Sequence, residues 1–206
     1  MRSRRLAPAA LVGAVLLAAC DLNEYLPTQT SGGGGGGGGD AFSFTDPMGD
    51  LRPEASAADA PDALALSGSV DGDTITIRLV FRAAVARFSE GRSNSLDGFV
   101  DLDVDENATT GIPAAVDEVG GATGMGADFY VDLRDATAST VTVLEAGETT
   151  GTSVPATFGT TTVTIRVPRT LVEEDDGRFR LSALVGNPDG PSDFVPNSGF
   201  LTVGDR

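Results

Sequence analysis

Histidine, tryptophan and lysine are all missing from this chain of 206 residues. Without His there is no His-based catalytic triad, His-ligated metal or His-ligated haem. Without Lys there is no Schiff-base chemistry and no phosphate-binding lysine of a P-loop. Cysteine occurs once, at Cys20, so the fold is held without an intramolecular disulfide. Basic residues are scarce: 14 against 30 acidic ones, a net charge of −16. A nucleic-acid partner is thereby disfavoured, because phosphate binding needs a basic surface. What remains is carboxylate chemistry, an oxygen-ligand metal site, or binding without chemistry.

The N-terminus opens with Arg2, Arg4 and Arg5. Leu6 to Ala19 is apolar apart from Pro8 and Gly13. At about 14 residues it is too short to span a bilayer comfortably. It ends in Leu17-Ala18-Ala19-Cys20, small residues before the lone cysteine. This segment resembles a bacterial lipoprotein signal peptide with its lipobox. In that family the cysteine thiol is diacylated, the signal is removed, and the cysteine becomes the new N-terminus. The resemblance therefore implies residues 1–19 as signal peptide, Cys20 as lipidation site, and a lipid-anchored protein of the bacterial cell envelope. Removing residues 1–19 takes away three arginines and no acid, leaving 11 basic against 30 acidic residues, a net charge of −19. Such a surface stands off from anionic head groups and leaves the membrane contact to the lipid.

Residues 20–40 read as a tether. Asp21 to Thr30 is polar and without period, and Gly32 to Gly39 is an unbroken run of eight glycines. A glycine run buries no apolar surface and loses the most backbone entropy on ordering, so flexibility is expected. About 20 flexible residues have an r.m.s. span of about 25 Å. A phosphate-cradling use of the glycines would need a Lys and a following helix, and the sequence supplies neither.

Residues 41–206 are long enough for a single core that buries roughly 70% of the chain's surface. Their apolar period is two. Ile75, Ile77, Leu79 and Phe81 face one way in Thr74 to Phe81. Val163, Ile165 and Val167 do so in Thr161 to Val167, and Phe179, Leu181, Ala183 and Val185 in Arg178 to Val185. Ala127 to Leu133, Thr140 to Leu144 and Phe200 to Val203 are shorter versions. Turn formers lie between them at Asp71-Gly72-Asp73, Gly120-Gly121, Glu148 to Gly151, Asp176-Gly177 and Asn187 to Pro191. A short helix is expected only at Pro168 to Glu174, with Pro at its start. Many short strands with one apolar face each predict an all-β fold, an antiparallel β-sandwich. A closed barrel is the alternative.

In Phe99 to Asp105, Val100, Leu102 and Val104 point to the core and Asp101, Asp103 and Asp105 point away. A calcium-binding helix–loop–helix fails on this pattern. Its sixth position is Glu106 in place of Gly, its twelfth is Ile112 in place of a bidentate Glu, and Pro113 spoils the exiting helix. A straight strand would separate Asp101 and Asp105 by about 13 Å, whereas calcium needs its oxygens within ~2.6 Å. The chain must therefore bend near Asp103 for Asp103, Asp105 and Asn107 to converge. Asp128 and Asp132, on the polar side of Ala127 to Leu133, complete the shell if the two strands pair. The candidate calcium ligands are thus Asp101, Asp103, Asp105, Asn107, Asp128 and Asp132. The competing reading is a solvated acidic face, against which stands the repulsion of neighbouring strand carboxylates. Two further acidic groups, Asp46 to Asp50 with Pro61-Asp62, and Ser192 to Gly199, are read as local Asx-turns.

Phe44-Thr45-Asp46-Pro47, Gly49-Asp50 and Pro61-Asp62 open the domain. Gly98-Phe99, Asp101-Leu102-Asp103, Asp105, Thr110-Gly111 and Gly126 to Val131 follow, and Asp193, Pro196-Asn197 and Gly199 close it. Together these resemble secreted bacterial sandwiches of the DOMON and carbohydrate-binding-module-family-nine-like group. The resemblance implies about nine or ten strands and structural calcium. Haem-binding members use axial ligands that typically include His, and sugar-binding members stack sugars on aromatics, often Trp; this chain has neither residue. The expected function is a non-enzymatic, calcium-stabilised binding or structural module, anchored to the membrane by lipid, with a glycan or envelope protein as candidate partner. The alternatives are a carbohydrate-binding module proper and a carboxylate-based glycoside hydrolase, which needs two carboxyl groups about 5–9.5 Å apart beside a cleft.

Overall fold

The computed structural model describes residues 40–52, 59–89, 92–113, 124–172 and 177–204. The signal peptide, Cys20, the glycine run and the Gly120-Gly121 turn lie outside the described residues. The strands are β1 (Asp40–Thr45), β2 (Ala63–Asp71), β3 (Thr74–Phe81), β4 (Ala86–Arg87), β5 (Ser95–Asp103), β6 (Ile112–Pro113), β7 (Gly126–Ala127) and β8 (Phe129–Asp132). They continue with β9 (Thr140–Glu145), β10 (Thr152–Phe158), β11 (Thr162–Pro168), β12 (Phe179–Asn187), β13 (Gly190–Val195) and β14 (Leu201–Val203). β1 starts at Asp40, the last residue assigned to the tether.

Ten strands form one continuous path, β1-β2-β3-β11-β10-β9-β8-β5-β12-β13, with β14 also on β12 and β4 on β5. The pairings along that path are antiparallel, and among the described residues only the two-residue β4–β5 pair is parallel. β10 divides its length between the two layers. Thr152 to Pro155 pair with β9, and Ala156 to Phe158 pair with β11. Pro155 stands at that corner, where the ladder changes partner and a missing N–H is tolerated. The result is an all-β antiparallel sandwich whose far edges approach each other, β2 against β13 and β1 against β14.

The alternation explains the core. Ile75, Ile77, Leu79, Val163, Ile165 and Val167 are buried from one layer, and Val100, Leu102, Val131, Phe179 and Leu181 from the other. Apolar burial of about 25 cal/mol per Å² is the main stabilising contribution in such a core. β2 and β3 are joined by the two-residue turn Gly72-Asp73, where Gly72 takes φ 53°, a left-handed conformation that costs a glycine nothing. The helix expected over Pro168 to Glu174 lies partly outside the described residues, which stop at Val172 and resume at Gly177. Pro168 ends β11, and a 3-10 turn, Arg169–Leu171, follows. Its Arg169 N–H donates to the Asp73 carbonyl, so tertiary contact and not helix propensity shapes this corner. Among the described residues no helix is long and apolar enough to cross a membrane.

Candidate metal centres

β5 and β8 do pair, with Asp101 opposite Tyr130 and Leu102 opposite Phe129. The chain leaves the ladder after Asp103, and Asp128 sits just before β8, so these two acids meet at the strand ends. Asp103, Asp105 and Asp128 each bring a carboxylate oxygen within 4.8 Å of the others. Two oxygens on opposite sides of one calcium would be about 5 Å apart, so the group is compact enough to hold a metal ion.

Backbone amides shape this cluster. The Asn107 N–H donates to Asp103 Oδ1 (3.1 Å) and Asp105 Oδ1 (2.8 Å). Thr110 Oγ1 donates to Asp105 Oδ2 at 2.8 Å, and the Val104 N–H donates to Asp128 Oδ2 at 2.9 Å. The reversal depends on Glu106, the one described non-glycine residue at positive φ (54°). Glu106 thus supplies the left-handed turn that its position in a calcium loop would assign to glycine. Its carboxylate is held by Arg178 at 2.9 Å, which offsets part of the strain. Gly126 lets β7 close over the loop, since a Cβ there would lie 2.1 Å from the Thr110 carbonyl oxygen and 2.7 Å from that of Asn107.

The alternation placed these acids away from the core but did not show that they would be covered. Asp103 is fully buried and Asp101 nearly so. Burial pushes the Asp103 carboxyl up, while the Arg180 guanidinium (3.3 Å) and the Gly126 N–H pull it down. Burial also raises Asp128, against N–H donors from Val104 and Asp105. The Asn107 side chain turns away, its Oδ1 accepting from Thr109 N and Oγ1 at 3.1 and 2.7 Å. Asp101 lies across from Tyr130 and Ser182, and Asp132 is level with Phe99, so neither joins the group. Asp132 instead caps its own turn, its Oδ1 accepting from the Arg134 and Asp135 N–H groups at 2.8 and 3.3 Å.

A second acidic group assembles where the sequence implied only local turns. Asp46 and Asp50 follow β1, Asp62 precedes β2 and Asp193 lies in β13. Carboxylate oxygens of Asp46, Asp50 and Asp193 lie within 4.8 Å of one another. Burial, then Asp193, Asp50 and Asp62, push the Asp46 carboxyl up to about 9. Burial pushes Asp193 up to about 7, against the Ala63 N–H that donates to its Oδ2 at 2.7 Å. The correction has a plain cause: these residues are held by partners up to 151 positions away, as in the Asn197 Nδ2 bond to Asp46 Oδ1. Asp-Pro-x-Gly-Asp, Pro-Asp and Asp-x-x-Pro-Asn were visible as turn formers rich in oxygen, but nothing in the sequence said that they meet.

No protein-family model matches this chain, and no curated protein does. The functional reading therefore rests on these two clusters and on a groove of about 330 Å³ beside Asp97, Phe99, Arg134, Leu184 and Asn187. Phe99 meets Tyr130 edge to face at 5.5 Å, and Arg134 lies over Phe88 at 4.6 Å.

Proposed function

We propose that the protein is a non-enzymatic envelope module: a β-sandwich tethered through a lipidated Cys20 and stabilised by calcium at Asp103, Asp105 and Asp128. The observation that carries it is the convergence of three carboxylates at the β5 end, around a turn shaped by backbone amides. Like charges brought this close repel, and a divalent cation relieves the repulsion. All the ligand atoms are hard oxygens, carried by the end of β5, the turn after it and the residue before β8, a set that suits calcium better than magnesium with its rigid octahedron and retained water. The lipobox-like run supports the anchor, and the excess of acid supports a module that does not itself bind anionic lipid.

The groove beside Phe99 favours a second reading, a carbohydrate-binding module, since it combines one aromatic ring, Phe99, with Asp97, Arg134 and Asn187 as polar contacts. Both readings are tested on one sample. Calcium added to chelator-treated protein is expected to raise Tm by several degrees, because saturation at about 100 times Kd contributes roughly 2.7 kcal/mol and about 1 kcal/mol shifts a domain of this size by roughly 2–4 °C. Asp103→Ala should remove most of the response and Asp103→Asn less, as an amide oxygen can still ligate. Equal effects of calcium and magnesium, undiminished in the variants, would reduce the cluster to a screened acidic face. A glycan array with wild type and Phe99→Ala decides the second reading.

A further inference from the structure

The acidic group between β1, β2 and β13 differs from the first in one respect: its members have oxygens with nothing to bind. Asp46, Asp62 and Asp193 are 3%, 2% and 0% exposed. Each of the four carboxylates uses one oxygen to hold the fold. Asp46 Oδ1 and Asp50 Oδ2 accept from Asn197 Nδ2. Asp62 Oδ2 accepts from the Gly49 N–H (3.1 Å) and pairs with Arg82 (3.3 Å). Asp193 Oδ2 accepts from Ala63 N–H. The other oxygen of each, Asp46 Oδ2, Asp50 Oδ1, Asp62 Oδ1 and Asp193 Oδ1, is buried with no hydrogen-bond partner among the described residues. Four such atoms in one place do not occur by neglect, because each unpaired buried polar atom costs about 1–3 kcal/mol and more when charged. Anchoring one oxygen while leaving the other bare is how a fold aims carboxylates at a bound cation.

We infer that Asp46, Asp50 and Asp193, with Asp62 beside them, form a second divalent-cation site, able to take calcium, that ties the loop after β1 to the start of β2 and to β13. The inference does not depend on the Asp103 cluster. The ligand set is entirely carboxylate oxygen, which excludes soft metals that prefer thiolate or imidazole. Oxygens within 4.8 Å of one another span one ion. Arg82 balances the charge of Asp62, leaving three carboxylates for the ion. The position gives the ion a structural task. Ala63 N–H on Asp193, Ser192 Oγ on the Pro61 carbonyl (2.6 Å) and Arg52 N–H on the Ser192 carbonyl (2.9 Å) stitch the two edges of the sandwich at this point. A cation here would close the fold between its first and last thirds, 147 residues apart in the Asn197–Asp50 contact.

The test counts ions on the full-length chain in detergent. Asp103→Ala/Asp128→Ala removes the first cluster. Equilibrium dialysis with calcium alone should then give one bound ion, and adding Asp46→Asn/Asp193→Asn should give none. The single variant Asp50→Asn, at the less buried edge, should weaken that ion's binding at least ten-fold while leaving the far-ultraviolet circular dichroism unchanged. In chelator, Asp46→Asn should melt no lower than wild type, since it removes a crowded carboxylate, and this separates lost binding from lost folding. No bound ion in Asp103→Ala/Asp128→Ala, or one that survives Asp46→Asn/Asp193→Asn, overturns the inference. Loss of calcium only through Asp103→Ala would leave the first site standing and this one refuted.

Discussion

Burial alone pushes the Asp101 carboxyl up to about 7 from an ordinary 3.8. The sign of its effect follows from linkage. Between about pH 4 and pH 7 the folded chain keeps a proton that the unfolded chain has released, so stability falls as pH rises through that window. Above it both states are ionised and the penalty is constant. Asp101→Asn is therefore expected to lessen, by one proton's share, the fall in stability between about pH 4 and 7 to which Asp46 and Asp193 also contribute, and to raise Tm at pH 8, with chelator present throughout. Thermal melts across that range check it. A variant that melts lower at pH 8 with the same slope would show that the Asp101 anion is held by a favourable partner. The Asp101 side chain is nearly buried yet belongs to neither acidic group, which separates it from Asp103 two residues on.

At the scale of elements, the loop from Val104 to Gly111 and β7 act as one unit. The Asn107 N–H reaches back to two acids, and Gly126 allows β7 to pack on the loop's carbonyls. Gly126→Ala would drive a Cβ into backbone atoms that cannot rotate aside. It should lower stability by roughly 1–3 kcal/mol, the usual cost of overpacking, and weaken the calcium response with it. Urea titrations with and without calcium measure both. Unchanged midpoints would mean that the loop does not need this contact. In the same loop the non-glycine Glu106 takes a left-handed turn while Arg178 holds its side chain.

In the whole molecule a glycine-rich stretch precedes the sandwich in sequence. Cys20→Ser should move the protein from the detergent-soluble membrane fraction to the soluble exported fraction, read by fractionation and intact mass. Truncation just before Asp40 should leave Tm unchanged, because the glycine run has no side chains to pack against the sandwich. Wild type without acyl mass would overturn the anchor, and a large drop in Tm would show that the lead packs on the domain.

The alternation of Thr74 to Phe81, Thr161 to Val167 and Arg178 to Val185 was enough to assign strands and inward residues, because a period of two leaves one face to bury whatever the partners are. The absence of His, Lys and a second Cys excluded whole classes of chemistry without any coordinates. Three things were decided only in three dimensions. The β5–β8 register put Asp103 and Asp128 together while leaving Asp101 and Asp132 apart, and register depends on pairing that a single strand does not encode. Folding over of the loop and β7 buried Asp103, which alternation alone would leave wet. Closure of the sandwich brought Asp46, Asp50 and Asp62 to Asp193 and Asn197. Each of these segments satisfies a local turn rule by itself, so only long-range contact turns them into a site.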